Sequence, residues 1–420
     1  MKKTLGFATL LIALVASLSA HEGSIPHGVS RLNHVFVIMM ENHGYSQIVG
    51  NPQAPFTNAY ARSANTADNY FAIGHPSLTN YLEVVGGSNF GVQSDNNPDW
   101  HDGACSTNLS TGHPNNESSD PADICPIFGA GMDAATPAVD TTNETSGPPG
   151  LNNIDGVRSI AAAQTVGKTI GDQLAGVGLS WKSYQESLPP CGADRVNFAD
   201  GFFATGSNPP GCPTVTGTLP GEKQTLIKLY AVKHNPFAYF RSVQEGNDPR
   251  NSLANIVAFG GAHGLWADLA SGHVPSLAFI APNQCTDQHG RENGGPQCDF
   301  DPVTDGSQAG LNPALIRVGD EMVQKLVTAI HTSPAWRDGP SAIVLLWDEN
   351  DYSTAPNVNK VLVVVDTNDR DRDNDDRPVH SQRFYTHFSL LKSIESAFGL
   401  PCLNHACDAN VQAMSDLFER

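Results

Sequence analysis

The chain has 420 residues, 40% of them hydrophobic, and its formal net charge at neutral pH is −19. This length and apolar content are enough for one large folded core. The acidic excess, without a prominent Lys/Arg cluster, argues against nucleic acid as a partner and against a basic patch that binds anionic membranes.

Residues 1–20 have the pattern of a secretory signal peptide. Lys2 and Lys3 precede an apolar stretch from Leu5 to Ala16, and small residues up to Ala20 fit a cleavage site. About 12 apolar residues are too few to span a bilayer comfortably, so a transmembrane anchor is the weaker interpretation. We therefore predict a secreted or periplasmic protein without a stable membrane anchor, in which residues 21–420 form a single domain.

Two apolar runs end abruptly in polar side chains. Residues 35–40 lead directly into Glu41 and Asn42, and residues 342–347 lead into Asp348 and Glu349. This pattern predicts buried strands that carry polar groups at their ends, where open α/β sheets hold their active sites. If the ends are adjacent, the carboxylates repel one another unless a cation holds them, which favours a divalent metal ion. Two separate solvated loops are the alternative.

Ser77 follows a Gly-His-Pro break and begins an apolar segment with helical spacing. A hydroxyl at a helix N-terminus lies among unpaired backbone N–H groups. That position suits a helix cap, and it also suits a nucleophile that must bind an anion as it attacks. The segment by itself leaves both roles open.

The remaining pattern alternates between strands and helices, which predicts a layered α/β domain. Further strands are expected at 274–281 and 360–365, and helices at 160–174, 311–330 and 388–398.

Two segments stand apart from this alternation. Residues 88–151 are rich in small and polar residues, which predicts a loop-rich insertion. Acidic residues alternate within 366–377, but Asn374 and His380 occupy the places of the Gly and Glu that an EF-hand loop needs, which favours a solvated turn.

The eight cysteines suit an oxidising compartment. Their local spacing suggests four short-range disulfides, although sequence alone leaves the connectivity open. The expected pairs are Cys105–Cys125, Cys191–Cys212, Cys285–Cys298 and Cys402–Cys407.

Several motifs in the same order resemble the phosphoesterase family of bacterial phospholipases C and secreted acid phosphatases, within the alkaline phosphatase-like superfamily. HVFVIMMENHGYSQIVG is similar to its opening strand and HPSLTNYLEVVGG to its nucleophile segment. WKSYQESLPPC, KHNPFAYF, PSLAFIAPNQCTDQHG, LLWDENDYS and HFSLLKSIESAFGLP are similar to further blocks. The resemblance covers residues 34–402 and implies an α/β/α sandwich with a central, mostly parallel sheet.

Carried over by position, the resemblance implies a site built around a divalent metal ion. Ser77 is the implied nucleophile and also touches the metal, and Asn80 is the implied oxyanion donor. Asp287 with His289 could complete a second metal position. The implied metal ligands are Glu41, Asn42, Asp348 and Glu349, and the implied pocket residues are His75, His234, Asp287, His289 and His387, of which His75 and His234 bind substrate.

The chemistry of these residue types fits such a site. A divalent cation supplies the positive charge that a phosphate monoester dianion requires, and it lowers the pKa of a coordinated hydroxyl. Ser77 would then attack phosphorus to give a phosphoserine, while His289 or His387 protonates the leaving alkoxide and later activates water. Oxygen ligands suit Ca²⁺, Mg²⁺ or Mn²⁺, whereas added imidazoles favour Zn²⁺ or iron.

Three functions follow as hypotheses. The expected one is a secreted acid phosphatase acting on small phosphomonoesters. A phospholipase C-like phosphodiesterase is the alternative; Asp348-Glu349-Asn350-Asp351 in place of a glycine-rich loop, and no added C-terminal domains, speak against it. A non-catalytic secreted binding protein would have lost a nucleophile or ligand, and all the implied ones are present.

Overall fold

The fold was analysed in a computed structural model. It describes residues 22–75, 77–90, 167–188, 229–240, 242–243, 246–290, 296–298, 312–350, 359–368 and 377–418, together with the backbone of 107–108 and 113–114. The expected signal peptide, four of the cysteines and nearly all of the expected insertion lie outside these residues.

The described strands and helices alternate along the chain. The strands are β1 (His34–Met40), β2 (Asn65–Phe71), β3 (Thr107–Asn108), β4 (His113–Pro114), β5 (Trp181–Gln185), β6 (Ile256–Ala258), β7 (Leu277–Ala281), β8 (Ser341–Trp347), β9 (Lys360–Thr367), β10 (His380–Ser381) and β11 (Tyr385–Thr386). The helices are α1 (Tyr45–Ile48), α2 (Pro55–Ser63), α3 (Ser77–Gly86), α4 (Ile170–Gly176), α5 (Leu265–Ser271), α6 (Pro313–Thr332), α7 (His387–Phe398) and α8 (Ser415–Phe418).

Among the described residues, nine strands form one mostly parallel sheet. Their order is β10, β2, β9, β8, β1, β7, β5 and β6, and β11 also pairs with β2. Within this sheet β9 is antiparallel to both of its neighbours, and the other pairs are parallel. The mixed α/β fold with a mostly parallel central sheet that the sequence predicts is therefore confirmed.

The central strands are apolar because both faces of the sheet are covered. Every residue of β8 is buried, as is every residue of β1 after His34. Continuous burial of this kind is typical of parallel strands with helices on both sides. The helices pack against one another in two groups, α3 with α4 and α7, and α6 with α2 and α5.

Local signals explain where the helices begin and end. Asn312 caps α6, since its Oδ1 accepts a hydrogen bond from the Ala314 N–H at 3.0 Å. At the end of α7, Gly399 takes the left-handed conformation with φ of 65°. The predicted helix over 160–174 is wrong at residues 167–169, because Thr169 and Asp172 form a capping box that starts α4 at Ile170.

Two of the four expected disulfides lie within the described residues, and both are present. Cys285 pairs with Cys298 and Cys402 with Cys407, with Cα atoms 4.7 and 5.1 Å apart. The first disulfide closes the loop that carries Asp287 and His289, as the sequence suggests. In the part of the chain described, no helix has the length and apolar character needed to cross a membrane.

Candidate active site

The ends of β1 and β8 form the base of the site. Met40 pairs with Trp347 in the parallel register, so Glu41 and Asp348 leave the sheet side by side. The Asp348 N–H donates to the Met40 carbonyl at 2.9 Å, and the Asn42 N–H donates to Oδ1 of Asp348 at 3.0 Å. The two acidic segments are thus adjacent in space, as the metal hypothesis requires.

Ser77, the first residue of α3, lies between two of the carboxylates. Its Oγ is 3.0 Å from Oε2 of Glu41 and 3.2 Å from Oε1 of Glu349. One hydroxyl proton can serve only one of these oxygens at a time. Oδ2 of Asp348 is also buried and has no hydrogen-bond donor of good geometry among the described residues. We call Ser77, Glu41, Asp348 and Glu349 the oxygen cluster, and it holds more acceptors than donors.

Burial makes these negative charges unfavourable. Removal from water, and then the nearby Asp348 and Asp287, raise the pKa of Glu41 well above its usual value. Burial likewise raises the pKa of Asp348 to about 6. A bound divalent cation would reverse this effect by favouring the ionised carboxylates. The residues of the oxygen cluster therefore fit a metal ion.

A second group of side chains adjoins Glu41, and we call it the histidine cluster: Lys233, His234, Asp287 and His289. Nε2 of His234 is 3.1 Å from Oε1 of Glu41, and its Nδ1 is 3.1 Å from Oδ2 of Asp287. Burial raises the pKa of Asp287 and lowers that of His234, which the positive charge of Lys233 lowers further. Glu41, His234 and His289 each offer a possible metal-ligand atom within 4.8 Å of the others.

His75 and Asn80 both hold Glu349. Nδ1 of His75 is 2.9 Å from Oε2 of Glu349, and Nδ2 of Asn80 donates to the same oxygen at 3.0 Å. Oδ1 of Asn80 accepts from the Ile73 and Gly74 N–H groups at 3.1 and 3.0 Å. Nδ2 also donates to the Gly74 carbonyl at 2.8 Å, so both of its protons are used. To act as the expected oxyanion donor, Asn80 would have to exchange one of these two bonds, and that role stays a prediction.

His387 supports the site from the side of α7. Its Nε2–H donates to the Asp348 carbonyl at 2.7 Å, and the Tyr70 hydroxyl donates to its Nδ1 at 2.9 Å. Burial lowers the pKa of His387 to about 4, which keeps the ring neutral. Both ring nitrogens are thus occupied, Nε2 by the Asp348 carbonyl and Nδ1 by the Tyr70 hydroxyl, and proton transfer by His387 stays a prediction.

Sequence reasoning missed two residues of the site. Lys233 is buried beside His234, and Tyr81 stacks on His234 with ring centroids 5.4 Å apart and planes 8° apart. The position of Tyr81 was a usable signal, since it follows Ser77 by four residues on one helical face. Lys233 lies inside the motif KHNPFAYF but outside any periodic pattern, so only its place next to a pocket histidine singles it out.

Named relatives align with most of the chain. An acid phosphatase of Aspergillus fumigatus is 20% identical over 90% of this chain and 58% of its own length. A probable acid phosphatase of Kluyveromyces lactis is 24% identical over 90% and 61%. A phosphatidylinositol-3-phosphatase of Mycobacterium tuberculosis is 20% identical over 96% and 91%. The chain thus spans about three fifths of the two fungal relatives.

A solved structure and a family model complete the comparison. A protein of the alkaline phosphatase superfamily from Vibrio parahaemolyticus is 11% identical over 90% of this chain and 69% of its own, with a TM-score of 0.44. The model of the Phosphoesterase family matches residues 51–362, which include Ser77, Asp287 and Asp348. The chain therefore belongs to the Phosphoesterase family.

Proposed function

We propose that the protein is a secreted, metal-dependent acid phosphatase that cleaves phosphomonoesters through a phosphoserine intermediate. The position of Ser77 carries this proposal. Its hydroxyl lies at the N-terminus of a ten-residue helix, within 3.2 Å of Glu41 and Glu349, at the carboxyl edge of the sheet. Unpaired N–H groups at a helix N-terminus favour a phosphoryl group near this hydroxyl.

The oxygen cluster supports metal dependence. A phosphate dianion would be repelled by three buried carboxylates, so the site needs a cation before it can bind substrate. Oxygens of Glu41, Asp348, Glu349 and Ser77 would hold that cation, and the expected ligand Asn42 lies next to them. When bound, the cation supplies Lewis-acid stabilisation of charge on the phosphoryl oxygens.

The side chains of the site then have distinct tasks. Ser77 Oγ forms the new bond to phosphorus as the bond to the ester oxygen breaks, and the alcohol leaves with one proton. Water hydrolyses the phosphoserine, which regenerates the Ser77 hydroxyl and releases inorganic phosphate. Asn80 donates to Oε2 of Glu349 and His75 lies 2.9 Å from the same oxygen, and both contacts help to position Glu349. His289 or His387 is the proposed proton donor, and either ring would have to exchange one of its present hydrogen-bond partners to protonate the leaving alkoxide.

The relatives favour a monoester over a diester. Two are named acid phosphatases and one a phosphatidylinositol-3-phosphatase, and all three names describe monoester cleavage. Export is supported by the two described disulfides, which form and persist in oxidising compartments. Cell fractionation and N-terminal sequencing of the purified protein would test the expected removal of residues 1–20.

The first experiment compares hydrolysis of p-nitrophenyl phosphate with that of p-nitrophenylphosphorylcholine, with and without EDTA. We expect EDTA-sensitive monoester cleavage, and a loss of at least roughly 10³-fold in Ser77→Ala, because the nucleophile is removed. Ser271→Ala, which removes a hydroxyl at the end of α5, is the matched control and should retain activity.

Acid quenching followed by peptide mass spectrometry should find phosphate on Ser77 during turnover. Preferred diester cleavage would replace this proposal by the phospholipase C-like alternative. Activity on neither substrate would favour a binding protein, and full activity in Ser77→Ala would exclude the phosphoserine.

A further inference from the structure

Lys233 is a buried cation whose role is not explained by the oxygen cluster. It lies in the short helical turn Val232–His234, and only 5% of its surface is exposed. Its Nζ is 3.0 Å from Nε2 of His289. An ammonium group without nearby anions is costly to bury, so its surroundings have to compensate the charge.

The contacts of His289 fix its tautomer. Nδ1 of His289 is 2.8 Å from the Gly290 carbonyl oxygen, which can only accept a hydrogen bond. Nδ1 therefore carries the proton, and Nε2 presents its lone pair to the ammonium of Lys233. A metal ion bound at Nε2 would need this same lone pair, so Lys233 and a metal compete for it.

Two carboxylates adjoin the residue that follows Lys233 in the chain: Glu41 and Asp287 each lie 3.1 Å from a ring nitrogen of His234. Lys233 itself is 3.0 Å from His289, whose ring centroid lies 5.4 Å from that of His234. It thus supplies the histidine cluster with a positive charge that belongs to the chain itself. The oxygen cluster has no comparable cation among its described contacts.

We propose that Lys233 is a positioning residue that occupies the place of a second metal ion, holding His289 as the Nδ1–H tautomer and compensating Glu41 and Asp287. The group Glu41, His234 and His289 then takes no second ion, and one divalent ion binds at the oxygen cluster. The ammonium group of Lys233 thus stands where the sequence predicts a second metal ion bound by Asp287 and His289. The proposal rests on the proposed metal-dependent function.

Metal stoichiometry tests this directly. Purified full-length protein is dialysed against Zn²⁺ or Mn²⁺, and bound metal is measured by mass spectrometry. We expect one equivalent in the wild type and in Lys233→Arg, and a second Zn²⁺ in Lys233→Met, because the His289 lone pair is released. Lys182→Met is the matched control, since Lys182 is a partly buried lysine paired with Asp268 at 2.5 Å. A second equivalent in the wild type that His289→Ala removes would overturn the proposal.

Histidine-selective ¹⁵N NMR of the metal-free protein tests the Lys233–His289 contact independently of activity. We expect a protonated Nδ1 and an unprotonated Nε2 for His289 at neutral pH. Lys233→Gln keeps a donor without the charge, and should keep this tautomer. A protonated Nε2 in the wild type would overturn the proposal, whereas an inactive wild type with the expected tautomer and one bound metal ion would count against the proposed function alone.

Kinetics separate positioning from simple folding support. Lys233→Met should lower kcat by roughly 10²-fold with a smaller change in KM, because a preorganised charge acts mainly on the transition state. Lys233→Arg should recover a substantial part of this loss. If Lys233→Met folds poorly, Lys233→Gln gives the same comparison. Equal kcat in Lys233→Gln and the wild type would contradict a role for the charge.

Discussion

The oxygen cluster and the histidine cluster share Glu41 but balance their charges differently. Around Ser77, one hydroxyl faces two carboxylates, and Oδ2 of Asp348 has no hydrogen-bond donor of good geometry among the described residues. Around His289, both ring nitrogens have partners, and one partner is the ammonium of Lys233. This difference underlies the proposal that the oxygen cluster takes a cation from solution and that the histidine cluster carries its own.

The substitution Glu41→Gln is the strongest test of this difference between the two clusters. We expect activity to fall by roughly 10³-fold, because a metal ligand beside the nucleophile is lost. In EDTA the free energy of unfolding of the same variant should exceed that of the wild type by on the order of 1–3 kcal/mol, since one of several mutually repelling buried charges is gone. With metal present the order should reverse, because the wild type binds the ion more tightly.

Thermal unfolding with EDTA and with added Mn²⁺ measures both effects. Glu321→Gln, an exposed carboxylate on α6, serves as the control and should change neither value appreciably. If Glu41→Gln destabilised the protein equally with and without metal, the oxygen cluster would not be a metal site.

The adjacency of Glu41 and Asp348 could be predicted from sequence because both follow apolar runs that pair as parallel strands. The direction of β9 could not be, since a continuous apolar run carries no signal of orientation. β2 was missed because it is polar: Asn65 and Thr66 are buried and satisfied by contacts to Leu417 and His380. Such tertiary hydrogen bonds leave no periodic pattern in the chain.

The same limit explains why Lys233 was not predicted as a residue of the site. Ser77 and the strand-end carboxylates could be singled out because a break in the pattern precedes or follows each. Lys233 contacts His289, which is 56 residues away along the chain. Only the fold brings these two residues together, so its charge could not be assigned to the site beforehand.

A smaller effect is expected from Tyr70→Phe, which removes the hydroxyl that donates to Nδ1 of His387. A buried nitrogen left without its partner costs about 1–3 kcal/mol of unfolding free energy. Because Nε2 of the same ring holds the Asp348 carbonyl, kcat should also fall, by roughly threefold to tenfold. Urea unfolding and steady-state kinetics measure the two changes.

Tyr184→Phe is the matched control, since it removes a buried hydroxyl that donates to Asp268 at 2.7 Å. It should lose stability to a similar extent and retain kcat. An equal loss of kcat in both variants would mean that the Tyr70 effect reflects general loosening and not the position of Asp348.

Glu395 is a buried carboxylate outside both clusters. Its contribution to the free energy of unfolding should depend on pH but not on bound metal. It lies on α7, where Oε1 accepts from the Leu403 N–H at 2.8 Å and Oε2 is buried without a donor among the described residues. Burial raises its pKa well above 4.5. Because the folded-state pKa lies above the unfolded value, the free energy of unfolding falls as the pH rises above about 4.5.

Glu395→Gln should remove this contribution, since the amide oxygen can still accept from Leu403 and no charge is buried. We expect a gain on the order of 1–2 kcal/mol at pH 8 that disappears near pH 4, with unchanged activity. EDTA should not alter the gain, in contrast to the reversal expected for Glu41→Gln. If the stability gain of Glu395→Gln depended on metal, Glu395 would be coupled to the oxygen cluster. Its effect on stability could then not be attributed to burial alone.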